Sequence, residues 1–263
     1  MPLNADRRTL LNDLLPEGMV VSRKWLLKNG MDRHAIDNLV KTGQLEALVS
    51  GIYKRPSSII TWQGLISSFQ QLFLKDVVVG GITALELEGL GHYLNMSPQI
   101  QINLYFDKPL PKWINNLIPV AFVQHAIKFH FGIISNKDHL TANENYTQAH
   151  NWAEGKFPLI ISIPERAVLE VLEDVPEKTS FEHAEQLMQG MTTLSPRKMQ
   201  ELLKISESIK VKRLFFWFAE RQNYPWLEKI DRQKINLGVG KRVVAKGGKL
   251  DKKYLITVPR EYE

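Results

Sequence analysis

The stretch that decides the fold is Met19–Arg55, MVVSRKWLLKNGMDRHAIDNLVKTGQLEALVSGIYKR. Ser22 is a good helix N-cap, and Trp25 and Leu26 then fall on one face of a short helix. Asn29-Gly30 breaks that helix, because glycine tolerates the left-handed conformation that a tight turn needs. Asp32 caps a second helix in which Ala35, Ile36, Leu39 and Val40 recur at helical spacing on the inner side. Its other side carries Arg33, His34, Asp37, Asn38 and Lys41. Gly43 closes it, and the short apolar runs Leu45–Val49 and Ile52–Lys54 around Ser50-Gly51 read as a hairpin. Helix, turn, helix, hairpin is the order of a winged helix-turn-helix, a fold that lays its second helix in the DNA major groove.

Working outward, Leu3–Leu15 reads as an amphipathic helix ended by Pro16-Glu17-Gly18. Thr61–Leu74 is expected to be helical with Trp62, Leu65, Ile66, Phe69 and Leu72 inward. Val77–Gly81 reads as a short strand and Thr83–Glu88 as a helix. A boundary is placed near Ser97-Pro98, giving a DNA-binding domain with bridging helices over residues 1–96 and a second domain over 97–263. In the second domain the strands are expected at Ile100–Phe106, Val120–Gln124, Ile127–Ile134 and Leu159–Ile163, with a polar loop over Asn136–Gly155. Helices follow: one starting at Pro164, then Phe181–Gly190, one opened by Ser195-Pro196, and Ser206–Arg221. Consecutive Phe215, Phe216, Trp217 and Phe218 surround the last helix instead of striping it, so it is expected to be deeply buried. A basic hairpin around Lys246-Gly247-Gly248-Lys249 closes the chain. The fold class is α+β: a winged helix-turn-helix followed by a larger mixed domain.

The chain has 263 residues and a formal net charge of +6. Residues 1–55 hold nine Lys/Arg against six Asp/Glu, and residues 229–263 hold ten against four, so both ends are suited to polyanions while the middle is mildly acidic. There are no cysteines, which excludes disulfides and thiolate metal sites and points to a reducing cytoplasm. No signal peptide or apolar span of membrane length is evident, so export and membrane insertion are not expected.

The motifs of common catalytic sites are missing: no H-E-x-x-H, no G-x-S-x-G and no G-x-G-x-x-G after a strand. Gly238–Arg242 resembles the end of a phosphate loop but has Arg242 where Ser or Thr would hold magnesium and Ile235 where the leading glycine belongs. The seven histidines are dispersed; Glu165 and Glu170 near Arg166 suggest acid–base work, but the helix dipole explains the helix-start carboxylate Glu165 more cheaply. Neither a metal nor a cofactor is expected.

The chain resembles the AbiEi antitoxins of AbiE-type (type IV) toxin–antitoxin systems over nearly its whole length. The likeness rests on Gly30–Tyr53, on Trp62 with Gly80-Gly81-Ile82-Thr83-Ala84-Leu85-Glu86, and on Pro164-Glu165-Arg166-Ala167, Lys210–Leu214 (KVKRL) and Gly247–Pro259 (GGKLDKKYLITVP). The resemblance implies that the winged helix binds inverted repeats in its own promoter and represses it. It implies further that the C-terminal domain counteracts a nucleotidyltransferase-like toxin without necessarily forming a stable complex. The toxin's own motif, Gly-Ser followed by Asp-x-Asp, does not occur in this sequence.

Ser22, Arg23 and Lys24 at the start of the first helix of the motif are expected to meet a phosphate. Arg33, His34, Asp37, Asn38 and Lys41 are the candidate readers, since arginine pairs with guanine and asparagine with adenine in the major groove. Lys54 and Arg55 are expected on the DNA backbone or in the minor groove. Lys212, Arg213, Lys241, Arg242, Lys246 and Lys249 are expected to form a second basic surface, facing flanking DNA or an acidic macromolecule. The competing readings are a nucleic-acid-directed enzyme and a repressor with a ligand-sensing domain.

Overall fold

A computed structural model of the chain describes residues 11, 13–73, 77–91, 100–126, 146–152 and 157–262. The chain forms two compact units that are interleaved in sequence: residues 1–77, 108–122 and 149–160 in one, residues 78–107, 123–148 and 161–263 in the other. The sequence cut expected at 96/97 falls among residues 92–99, outside the described residues, as do most of the expected helix Leu3–Leu15 and the expected strand Ile127–Ile134.

In the first unit, strand β1 (Val20–Ser22) leads directly into helix α1 (Arg23–Lys28), followed by α2 (Arg33–Lys41), β2 (Glu46–Val49) and β3 (Ile52–Lys54). The three strands form an antiparallel sheet in the order β1-β3-β2. β1 was not foreseen, because three residues abutting a cap give no readable alternation; it pairs Val20 with Lys54 and Ser22 with Ile52 and so ties the helices to the wing. Val21, Leu26, Ile36, Leu39, Leu45 and Tyr53 bury their side chains in one apolar cluster. Full burial of each such side chain is worth about 1.5–3 kcal/mol, so the cluster outweighs the weak intrinsic helicity of elements this short.

Thr61 caps α3 (Trp62–Ser68), which widens into a π-helical turn over Phe69–Phe73 instead of continuing regularly to Leu74. Gln70 supplies the reason. Its buried amide donates to the carbonyls of Val77 and Ile160 and accepts from the Ile160 N–H, so the turn bends to bring it there.

A five-stranded sheet runs in the order β6-β5-β4-β8-β7, made by β4 (Val78–Val79), β5 (Gln101–Tyr105), β6 (Ala121–His125), β7 (Thr147–His150) and β8 (Leu159–Ser162). β4 is antiparallel to β5 and parallel to β8. β7 lies where a polar loop was expected, and Ile100, read as the first inward residue of its strand, is exposed. Helix α4 (Gly81–Leu87) packs on α5 (Pro164–Glu173), and α5 in turn packs on α7 (Pro196–Ile205) and α8 (Ile209–Gln222). Helix α6 (Phe181–Gln189) also packs on α8. α8 is buried continuously from Val211 to Ala219, as its run of aromatic residues requires. Strands β9 (Lys249–Asp251) and β10 (Ile256–Val258) form the closing hairpin, so its turn spans 252–255 and not the expected Lys246-Gly247-Gly248-Lys249, whose last residue already starts β9; upstream, Arg242 makes one bridge to Ile256.

The start of α4 explains the paired glycines. A Cβ on Gly80 would lie 2.3 Å from the Glu170 carboxylate and 2.6 Å from the Tyr105 ring. Glu170 accepts from the Gly81 N–H (2.8 Å), the Ser162 hydroxyl (3.1 Å) and Arg166 Nε (2.7 Å). Glu165 accepts the Ser195 N–H at 2.6 Å. These charged residues therefore join α4, β8, α5 and the start of α7, with their hydrogen bonds turned inward.

Candidate nucleic-acid interface

Two side-chain caps set the interface. The Ser22 hydroxyl accepts the Trp25 N–H at 3.1 Å, and Asp32 Oδ1 accepts the Ala35 N–H at 2.7 Å. Each cap satisfies one donor that a helix start leaves open, which fixes where α1 and α2 begin. With Ala35, Ile36 and Leu39 in the core, helical geometry turns Arg33, His34, Asp37, Asn38 and Lys41 outward, and all five are exposed.

Within that face the charges are unequal. Arg33, His34 and Lys41 have no ion pair among the described residues. Asp37 is held by Arg23 at 2.6 Å, a clamp between α1 and α2 that a separation of 14 positions hid from the sequence. Lys24 is exposed beside it.

The hydrogen bonds of the first unit change three of the expectations. The Arg23 N–H donates to Gly51 O at 2.8 Å and the Trp25 N–H to the Ser22 hydroxyl, so two of the donors expected to meet a phosphate at the start of α1 are already engaged. Lys54 bonds Glu46 at 2.9 Å and Ser58 O at 3.0 Å, with its side chain largely covered. Arg55 Nε donates to Leu15 O at 2.6 Å. The wing cations thus brace the base of the wing, while its tip, Ser50-Gly51, carries no charge.

The second basic set divides in two. Lys241, Arg242, Lys246 and Lys249 are exposed. Lys212 and Arg213 are buried and do not belong to any basic surface. Burial pushes the Lys212 ammonium pKa down, and burial with the nearby Arg242 charge lowers that of Arg213. The signal that would have found this lies in the neighbouring residues: a helix ringed by Phe215–Phe218 also buries the turn before them.

Residues 5–96 match the family model described as "Transcriptional regulator, AbiEi antitoxin N-terminal domain", and residues 97–259 match the one described as "Transcriptional regulator, AbiEi antitoxin, Type IV TA system". The chain belongs to the AbiEi antitoxin family. Among solved structures, this AbiEi chain is similar to the RV2827C protein from Mycobacterium tuberculosis, with a TM-score of 0.55 and 16% identity over 90% of this chain and 85% of that one. At that identity the likeness shows a shared fold. No curated protein matches the chain. No helix among the described residues is long and apolar enough to cross a membrane.

Proposed function

We propose that this AbiEi protein is a cytoplasmic antitoxin and autorepressor that reads inverted repeats in its own promoter through α2. The observation that carries this reading is the exposed face of α2, where Arg33, His34, Asn38 and Lys41 project from a helix whose opposite side is locked in an apolar core. Arg33, in the first turn, is the base reader, because the start of a recognition helix is the part that reaches base edges. Asn38 is placed to read adenine, and Lys41 and Lys24 contact phosphates. Inverted repeats bring two copies onto one operator.

The second unit counteracts a nucleotidyltransferase-like toxin, and the exposed Lys241, Arg242, Lys246 and Lys249 form the surface through which it does so. The protein acts as a regulator and not as a catalyst. This accords with the inward hydrogen bonds of Glu165, Arg166 and Glu170, the carboxylates and guanidinium best placed in sequence for acid–base work.

The experiment is a titration of the full chain on its own upstream DNA and on scrambled DNA, paired with co-expression of the toxin encoded beside it. Operator preference with rescue of growth is the expected result; equal affinity for both DNAs would reject the repressor reading. The full chain is required, because a fragment starting at Met96 would lack β4, the central strand of the five-stranded sheet.

A further inference from the structure

The second unit holds a charged cleft, remote in sequence from α2. One wall is the outer face of α7. With Met199, Leu202 and Leu203 buried, Arg197, Gln200, Glu201 and Lys204 recur at helical spacing away from the core. The other wall is the segment from Lys229 to Lys234. Its Ile230 is buried and its Arg232 reaches Glu220 at 3.1 Å, which leaves Lys229, Asp231 and Lys234 lining the cleft. The cleft measures about 590 Å³, within the ~300–1,000 Å³ typical of small-molecule sites.

The two walls are tied to each other. Gln200 Nε2 donates to Asp231 O at 3.1 Å, and Gln200 Oε1 accepts the Asp231 N–H at 2.7 Å. One amide thus satisfies both polar groups of a residue on the opposite wall and fixes the width of the cleft. The charges around it are not all spent. Lys234 pairs with Asp231 at 2.7 Å and, with the Gln233 N–H, holds that carboxyl below its usual range, so this pair cancels. Arg197, Lys204 and Lys229 are exposed and have no ion pair among the described residues. Glu201, half-buried between Arg197 and Lys204 on the same helix, has none either, although i,i+4 and i,i+3 spacing puts a cation on each side of it.

Three unpaired cations around one unpaired carboxylate select a particular ligand chemistry. The cations reward phosphate oxygens. The carboxylate repels a bare phosphate chain, and as a pure acceptor it rewards a ligand that brings hydroxyl donors. A sugar carrying phosphates meets both conditions, and the volume admits sugar and phosphates together. We propose that the cleft between α7 and Lys229–Lys234 binds a nucleoside polyphosphate. Arg197, Lys204 and Lys229 hold its phosphate oxygens, and Glu201 accepts from its ribose hydroxyls. The site is independent of operator reading by α2.

The test is calorimetric titration of the full chain, at low salt and without magnesium, with the ribonucleoside triphosphates, the ribonucleosides, inorganic triphosphate and a short single-stranded RNA. The melting temperature of each variant is measured alongside and is expected to stay in place, because the substituted side chains are not buried. At least one nucleoside triphosphate is expected to bind, more tightly than inorganic triphosphate, and the nucleosides not at all. Arg197→Gln/Lys229→Gln is expected to weaken that nucleotide about tenfold. Glu201→Gln is expected to move the two anions in opposite directions: inorganic triphosphate gains affinity and the nucleotide loses it. Absence of binding by every nucleoside triphosphate, or nucleotide affinity unchanged in both variants, would overturn the site. Inorganic triphosphate binding as tightly as any nucleotide would reduce the cleft to an unselective cationic patch and overturn the ligand class. Tighter binding of the RNA than of any triphosphate, lost in the same variants, would overturn the proposal in favour of a nucleic-acid strand.

Discussion

Helix α2 and helix α8 are both rich in charge at first sight, and they use it in opposite ways. On α2 the apolar residues occupy one side, so Arg33, His34, Asn38 and Lys41 face water. On α8 the apolar residues run all round, so Lys212 and Arg213 are carried into the interior and Arg213 bonds backbone carbonyls. The same contrast separates α2 from α5, where Arg166 and Glu170 satisfy each other and the turn at Gly81. What decides whether a cation meets a ligand or holds the fold is the distribution of its apolar neighbours around the helix. The most recognisable motifs of the C-terminal region, PERA and KVKRL, thus put charged residues into the scaffold.

If that contrast holds, the largest effect belongs to the buried side. Glu170→Ala removes the buried carboxylate that accepts from Arg166, the Ser162 hydroxyl and the Gly81 N–H, so a loss of about 3–5 kcal/mol of stability is expected. Thermal unfolding followed by circular dichroism measures it, and a melting temperature equal to that of the unsubstituted chain would mean the pair does not hold the unit together. On the exposed side Asn38→Ala is expected to cost about 1–3 kcal/mol in operator affinity while leaving the melting temperature in place. A fluorescence-anisotropy titration decides it; a large drop in melting temperature would return Asn38 to the scaffold.

Smaller effects sharpen the comparison. Asp37→Ala removes an exposed ion pair, so stability should move by at most ~1 kcal/mol. Freeing Arg23 and deleting a negative charge beside the reading face should strengthen binding to random DNA. Weaker binding there would show Asp37 to be a contact in its own right.

The smallest effect is a pH dependence. Burial pushes the Glu220 carboxyl up, but Lys253 and Arg232 outweigh it and hold the group below its usual range. A depressed carboxyl contributes stability above its unfolded pKa and loses it as pH falls through the folded one. Acid unfolding should therefore begin at higher pH in Lys253→Gln; identical acid titrations would remove this pair from the stability of the unit.

Much of the winged helix was legible because its signals are local. Ser22, Asp32, Gly43 and the Ser50-Gly51 turn each act within a few residues, and they place α1, α2 and the wing where the structure has them. Pro164 and Ser195-Pro196 opened their helices for the same reason. The remainder depends on distant partners. β1 exists through pairing with β3, and the π-helical turn exists because Gln70 must reach the backbone of Ile160. The interleaving of the two units has no sequence signature at all. At the interface, the outward face of α2 was readable from periodicity, whereas the capture of Lys54 by Glu46 and of Arg55 by Leu15 O was not.

The central claim, that the outward face of α2 reads the operator, is met most directly by titrating Arg33→Ala on operator and scrambled DNA at matched salt. The account predicts a loss of about 1–3 kcal/mol on the operator with a much smaller loss on scrambled sequence. An equal loss on both would make Arg33 a phosphate contact and contradict the reading.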